Sequence, residues 1–236
     1  MQIFFGERLN KFSFRLEKDE ARHCIRVLRR KAGDQISCVD GKGNFYKGNI
    51  ENYTQSEVVA SIEQHIEMWG EKEIHLTLAV SPLRQKDRYE WMLEKAVELG
   101  VNTLIPIRSK HTMQKLTLKY NRLEQIAISA MKQCKRSLLP EIKEITTLPD
   151  FLALPHQGLK LVAQADESQP LSTYYDTIGG HKNAILLIGP EGDFTPEEIK
   201  LAREQGFQGI QLGENRLRTE TAAIHALSSL KMMYGY

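Results

Sequence analysis

Two glycine-bearing stretches toward the carboxyl-terminal end hold the residue types best suited to chemistry. The first is Gly189-Pro190-Glu191-Gly192-Asp193-Phe194, and the second runs Leu212-Gly213-Glu214-Asn215-Arg216-Leu217-Arg218-Thr219-Glu220-Thr221. Glycine lets a backbone come close to a ligand, and Pro190 stiffens the start of the first stretch. Glu191 and Glu220 are groups that can take or relay a proton, and Arg218 is one that can stabilise developing negative charge. Arg218 also falls just ahead of a predicted helix, where a cation opposes the helix dipole, so an anion or electron-rich group is expected beside it. Neither stretch matches G-x-G-x-x-G or the phosphate loop G-x-x-x-x-G-K-[ST], which removes support for dinucleotide and nucleoside-triphosphate chemistry. No serine elbow and no Cys/His arrangement suggests a nucleophilic enzyme.

These stretches need elements to position them, and from about residue 71 strands and helices alternate. Strands are predicted over 74–80, 103–107, 160–163, 184–188 and 208–212, and helices over 86–99, 120–134 and 219–233. A further helix opens at Thr195, with Pro196 at its first position and Glu198 completing a capping box. Such alternation indicates an α/β domain with a mainly parallel sheet. Ligands of open α/β sheets bind at the carboxyl ends of strands, and both glycine stretches lie there. Either one alone reads as ordinary turn chemistry; two at consecutive strand ends point to a site.

The first 70 residues read instead as short strands with one helix. Asp40-Gly41-Lys42-Gly43-Asn44 supplies hairpin-turn chemistry rather than a phosphate loop, since no helix pattern follows it. In the helix, Asp19 or a neighbour is the expected cap and Gly33 lies beyond the end. Arg22, Arg26, Arg29 and Arg30 fall at i, i+4, i+7 and i+8, hence on one face, with Ala21, Cys24, Ile25 and Leu28 opposite. Domains are therefore drawn at 1–70 and 71–236.

Composition narrows the partners. The chain carries a formal charge of +2 over 236 residues, but residues 1–31 hold +5 and residues 108–139 hold +7, leaving −10 for the rest. Basic charge concentrated in this way is the footprint of a polyanion-binding surface. Cys24, Cys38 and Cys134 lack metal or redox spacing and read as packing residues. The histidines form no H-x-x-x-H pattern, so no metal is implied. No apolar run is long enough to span a bilayer and no secretory signal is evident, so no membrane is expected and a cytoplasmic location is.

Several segments carry a family resemblance. Gly189–Phe194 resembles the G-P-E-G-G-F segment of RsmE-type SPOUT methyltransferases, and Leu217-Arg218-Thr219-Glu220-Thr221-Ala222 resembles their L-R-x-E-T-A segment. Glu94-Lys95-Ala96-Val97-Glu98-Leu99-Gly100-Val101 is similar to their E-K-x-x-E-L-G-V helix end. His23 with Val27-Leu28-Arg29 resembles the H-x-x-x-V-L-R of their first domain, and Lys132-Gln133-Cys134-Lys135-Arg136 with Pro140 is similar to their Q-x-x-R-x-x-x-P region. Two positions depart: Asp193 stands where the family has a second glycine, and Asn215 where an arginine commonly precedes L-R, with Arg216 displaced by one.

The resemblance implies a PUA-like β-barrel followed by an α/β SPOUT domain whose carboxyl-terminal segment is threaded as a trefoil knot. It implies S-adenosylmethionine as cofactor, held near Leu187, Gly189, Pro190, Glu191, Gly192, Leu212, Gly213, Leu217 and Arg218. The implied reaction is methylation of uridine N3 in 16S rRNA of the small ribosomal subunit by a homodimer. Arg218 is then the electrostatic stabiliser, Glu191 and Glu220 the proton acceptors or relays, and Arg22, Arg26, Arg29, Arg30 and Arg136 the RNA contacts. The alternatives are a SPOUT enzyme acting on a ribose 2′-hydroxyl or another base, and a non-catalytic RNA-binding assembly factor.

Overall fold

The computed structural model describes residues 1–113, 117–164, 169–178 and 180–235. The chain forms two compact units, one comprising 1–72 with 128–139 and the other 73–127 with 140–236.

In the first unit the strands are β1 (Ile3–Phe5), β2 (Glu7–Arg8), β3 (Ser13–Glu17), β4 (Gln35–Val39), β5 (Asn44–Tyr53), β6 (Glu57–Ser61) and β7 (Gln64–Glu67). They pair in the order β1-β4-β5-β6-β3-β2, with β7 also on β5. The ten-residue β5 bonds β4 and β7 through its first half and β6 through its second, and the register shifts between Ile50 and Asn52. A bulge of this kind bends a strand and lets a sheet curl on itself. Inside the curl pack Phe4, Phe14, Leu16, Ile36, Tyr46, Ile50 and Val58, all buried. Asp40 Oδ1 accepts from the amides of Lys42 and Asn44, so 40–44 is the β4–β5 turn that its residue types predict.

The arginine-bearing segment departs from expectation. Helix α1 spans only Lys18–Arg22, and a π-type turn at His23–Val27 follows. Ala21 and Cys24 are buried against the sheet, as the apolar pattern requires. Regular α-helical spacing ends at Arg22, where the π-type turn takes over, and Arg29 is left-handed (φ 54°). Arg22, Arg26, Arg29 and Arg30 are all exposed, yet they do not form one helical comb.

Residues 128–139, expected from sequence in the second domain, pack with the first unit for a definite reason. The buried Glu71 carboxylate accepts from Arg136 Nε and Nη2 (3.1 and 2.9 Å) and from the amides of Ser137 and Leu138 (2.8 Å each). Lys132 pairs with Glu20, and Gly43 N donates to Ser137 O at 3.0 Å.

The second unit has strands β8 (His75–Val80), β9 (Thr103–Arg108), β10 (Glu141–Ile142), β11 (Thr146–Thr147), β12 (Leu159–Ala163), β13 (Asn183–Ile188) and β14 (Gln208–Ile210). All pairs are parallel, in the order β10-β9-β8-β13-β12-β14, with β11 on β9. The helices are α2 (Lys86–Glu98), α3 (Tyr120–Gln133, of which only 120–127 belong to this unit), α4 (Leu148–Ala153), α5 (Tyr175–Ile178), α6 (Pro196–Glu204) and α7 (Thr219–Met233). β13 is central and buried along nearly its whole length, which is what a parallel strand covered on both faces requires. The capping box at Thr195 and Glu198 is present, with Pro196 at the first helical position. Among the described residues no helix is long and apolar enough to cross a membrane.

Candidate functional site

The strand order brings three carboxyl ends together. β12 lies between β13 and β14, with Leu161 opposite Leu186 on one side and Ala163 opposite Ile210 on the other. The turn after β13 and the loop after β14 therefore meet around the end of β12. They line one cavity of about 930 Å³, near the upper end of the usual range for small-molecule sites.

Gly189, Pro190, Glu191, Leu212, Gly213, Leu217 and Arg218 all line this cavity, as do Asn215 and Arg216. Leu187 does not. It is fully buried in β13, one position before the cavity-lining Ile188, in the cluster formed with Ala79, Phe151, Val162 and Phe207. Gly192 is likewise not part of the cavity wall; its α-carbon faces His111, whose side-chain atoms would lie 3.2–3.4 Å from an added Cβ. Glu220 sits behind the wall, 6% exposed, with Oε1 3.7 Å from Arg88 Nε and Oε2 buried without a hydrogen-bond partner among the described residues. Arg136, in the first unit, is 6% exposed and bound to Glu71, so its assignment as an RNA contact is corrected: its charge is spent inside the protein.

The first turn is held in shape from three directions. Asp193 N donates to Pro190 O at 2.9 Å, closing the turn. Asp193 itself is left-handed (φ 61°), the conformation glycine adopts most readily, and its Oδ1 accepts from Phe194 N at 2.8 Å. Asp is among the few non-glycine residues that tolerate this region, because its short polar side chain bonds the local backbone. Asp193 thus holds a conformation that glycine also adopts. From the segment after β9, His111 Nδ1 donates to the carbonyls of Gly192 and Asp193 (3.0 and 2.9 Å), and Lys110 N donates to Glu198 Oε1 at 2.8 Å.

One hydrogen bond joins the two glycine stretches: buried Thr219 Oγ1 donates to Gly189 O at 3.0 Å. Thr219 opens α7, whose N-cap is Arg218 with extended backbone (φ −70°, ψ 154°) and no side-chain capping bond. Arg218 is exposed in the cavity wall, and its guanidinium makes no ion pair or hydrogen bond among the described residues. A free guanidinium there adds to the positive end of the helix dipole, which suits an anion or an electron-rich oxygen.

Sequence reasoning missed Gln164, Arg88 and His111. Gln164 follows β12 and lines the cavity, with its amide donating to Ile210 O at 3.0 Å. Placing it needs the strand order, which no local pattern carries. Arg88 and His111 carry no motif at all. Among the described residues, no group of three or more His, Cys, Asp or Glu is placed to hold a metal ion.

Residues 70–231 match the RNA methyltransferase domain and residues 16–63 match the RNA methyltransferase PUA domain. The ribosomal RNA small subunit methyltransferase E of Mesomycoplasma hyopneumoniae is 31% identical over 208 residues, covering 86% of this chain and 88% of that protein. The crystal structure of a probable rRNA-methyltransferase from Porphyromonas gingivalis superposes with a TM-score of 0.89 at 34% identity, covering 100% of this chain and 99% of that one. A ribosomal RNA small subunit methyltransferase E from Neisseria gonorrhoeae, bound to S-adenosyl methionine, superposes with a TM-score of 0.88 at 28% identity over 99% and 98%.

Proposed function

The chain belongs to the RNA methyltransferase family, alongside the ribosomal RNA small subunit methyltransferase E proteins, and from that membership we propose that it methylates N3 of a uridine in 16S rRNA, using S-adenosylmethionine. The observation that carries this reading is the meeting of two glycine-bearing turns in one cavity with Arg218 exposed in its wall. The lining fits the cofactor. Ile188, Pro190, Phe194, Leu212 and Leu217 offer apolar surface for an adenine ring, and open space lies over Gly213, whose φ of 136° only glycine adopts readily. Gln164 and the backbone of the two turns offer polar groups for the ribose and the amino-acid end.

When bound, the cofactor supplies an electrophilic methyl group on a sulfonium. The work left to the protein concerns the acceptor, because uracil N3 carries an imide proton that must leave before or during attack. Arg218 stabilises the developing imide anion electrostatically, and its exposed guanidinium, without an ion pair among the described residues, supports that role. Glu191, exposed at the cavity, is placed to take the proton. N3 lies on the Watson–Crick edge, so the target uridine must be unpaired or flipped out. The exposed Arg22, Arg26, Arg29 and Arg30 serve the first unit as phosphate contacts, supplying affinity more than sequence choice. The reading carries with it the threaded carboxyl-terminal path, the homodimer and the cytoplasmic location that the family resemblance implies.

Calorimetry with S-adenosylmethionine, NAD and ATP, followed by nucleoside analysis of rRNA treated with the protein, tests it. Binding of S-adenosylmethionine alone and appearance of N3-methyluridine are expected, with Arg218→Ala keeping the first and losing the second. A 2′-O-methyl product, or none, refutes the assignment.

A further inference from the structure

We propose that Arg88 grips a phosphodiester of the RNA substrate at the cavity rim, and that Glu220 is the residue that positions it. The proposal rests on the methyltransferase reading of the cavity and assigns Glu220 a holding role in place of proton transfer.

Arg88 stands in the first turn of α2 and lines the same cavity as Arg218. Its side chain is 32% exposed, and its one ion pair among the described residues is the 3.7 Å approach of Nε to Glu220 Oε1. A guanidinium presents five N–H donors in a plane, so engagement through Nε leaves the terminal amino groups for a second oxyanion. Glu220 is poorly placed to exchange protons with a substrate. It is buried in the first turn of α7, outside the cavity lining, and its Oε2 has no hydrogen-bond partner among the described residues. Burying a carboxylate without satisfying both oxygens is costly, and a fold keeps such a group where it has a task. The task available here is to hold the guanidinium against the rim. At 3.7 Å the pair is loose, and it can tighten once an anion fixes the other edge of the arginine.

Strand order favours the RNA over the cofactor as the source of that anion. The two glycine turns follow β13 and β14 and bracket β12, whereas Arg88 follows β8, on the far side of β13. The nucleotide whose base enters the cavity brings a phosphate on each side, and a flipped nucleotide needs its backbone held. Arg88 and Arg218, on helices α2 and α7 that pack together, then present two cations to one strand.

The test measures methyl-transfer kinetics, cofactor affinity by calorimetry, and the salt dependence of RNA binding in Arg88→Ala, Arg88→Lys, Glu220→Gln and the Arg88→Ala/Glu220→Gln double variant. Arg88→Ala is expected to raise the KM for RNA about tenfold or more and to lower the salt slope by about 1, with cofactor affinity unchanged. Arg88→Lys recovers part of the loss, because a point charge keeps the attraction without the paired geometry. Glu220→Gln raises the KM for RNA in the otherwise unaltered chain and adds nothing once Arg88 is alanine. Weaker cofactor binding with an unchanged KM for RNA overturns the proposal, as does a lowered melting temperature with neither parameter moved. If the unaltered protein methylates no uridine yet Arg88→Ala still lowers its salt slope for RNA, the reaction assignment fails and the phosphate grip stands.

Discussion

Thr219→Val removes the hydrogen bond that joins the two sides of the cavity while nearly preserving side-chain shape. In the native protein Thr219 Oγ1 donates to Gly189 O at 3.0 Å, and both residues are buried. The valine leaves the carbonyl of the buried Gly189 without that donor. An unsatisfied buried acceptor costs about 1–3 kcal/mol. That energy is shared between global stability and the preorganisation of the two turns that hold the cofactor. If the whole amount fell on the site, cofactor affinity would drop roughly 5- to 150-fold, so this is the ceiling for the effect. Thr219→Ser keeps the donor and loses only a methyl group, worth about 0.8 kcal/mol at most. Isothermal titration with S-adenosylmethionine, paired with thermal unfolding, measures both parts. The expected order of affinity is wild type, then serine close behind, then valine several-fold weaker. Equal affinities for the valine variant and wild type, whatever happens to the melting temperature, would refute the claim that this bond couples the turns. Serine behaving like valine would refute it too, since packing rather than the hydroxyl would then be responsible.

Three other outcomes follow from particular residues. Asp193→Ala keeps the left-handed backbone and loses the carboxylate bond to Phe194 N, a loss of about 0.5–1.5 kcal/mol, whereas Asp193→Gly relieves the strain and offsets much of that. Thermal unfolding should rank glycine above alanine, and the opposite ranking would show that φ 61° is not strained here. Burial pushes the Cys24 thiol up to about 11, so the unfolded chain releases its proton first. Stability is then whole below pH 9, falls as pH rises toward 11, and falls less steeply in Cys24→Ala, as urea titrations across that range will read. Charge reversal at Arg26 and Arg29 should weaken RNA binding and lower its salt slope by about one per lost phosphate contact; an unaltered slope takes this segment off the RNA surface.

The fold was legible wherever local physics decides structure. The box at Thr195, Pro196 and Glu198 satisfies helix-end amides within four residues of sequence, so its pattern could be read without knowing the neighbours, and the structure shows both of its hydrogen bonds. Buried parallel strands need apolar residues on both faces, and 184–188 therefore announced β13. The glycine turns were found by type and by their place after strands. Asp193 was visible as a departure, but its consequence was not, because whether aspartate fits depends on a φ angle that composition does not state.

What stayed hidden depends on partners distant in sequence. Arg22, Arg26, Arg29 and Arg30 keep helical spacing on paper, yet the chain leaves the α path at His23, so periodicity counted past that point describes a helix that is not there. Arg136 lies in one of the most basic stretches, and its charge suggested a nucleic-acid surface. Glu71, sixty-five positions away, takes that charge, and the same carboxylate binds the amides of Ser137 and Leu138 and ties 128–139 to the first unit. A cation serves a ligand only where the fold leaves its donors exposed, and Arg136 is 6% exposed and held through Nε and Nη2 by the Glu71 carboxylate. By that criterion Arg218, exposed in the cavity wall, outranks Arg136, although the sequence gives both the same formal charge.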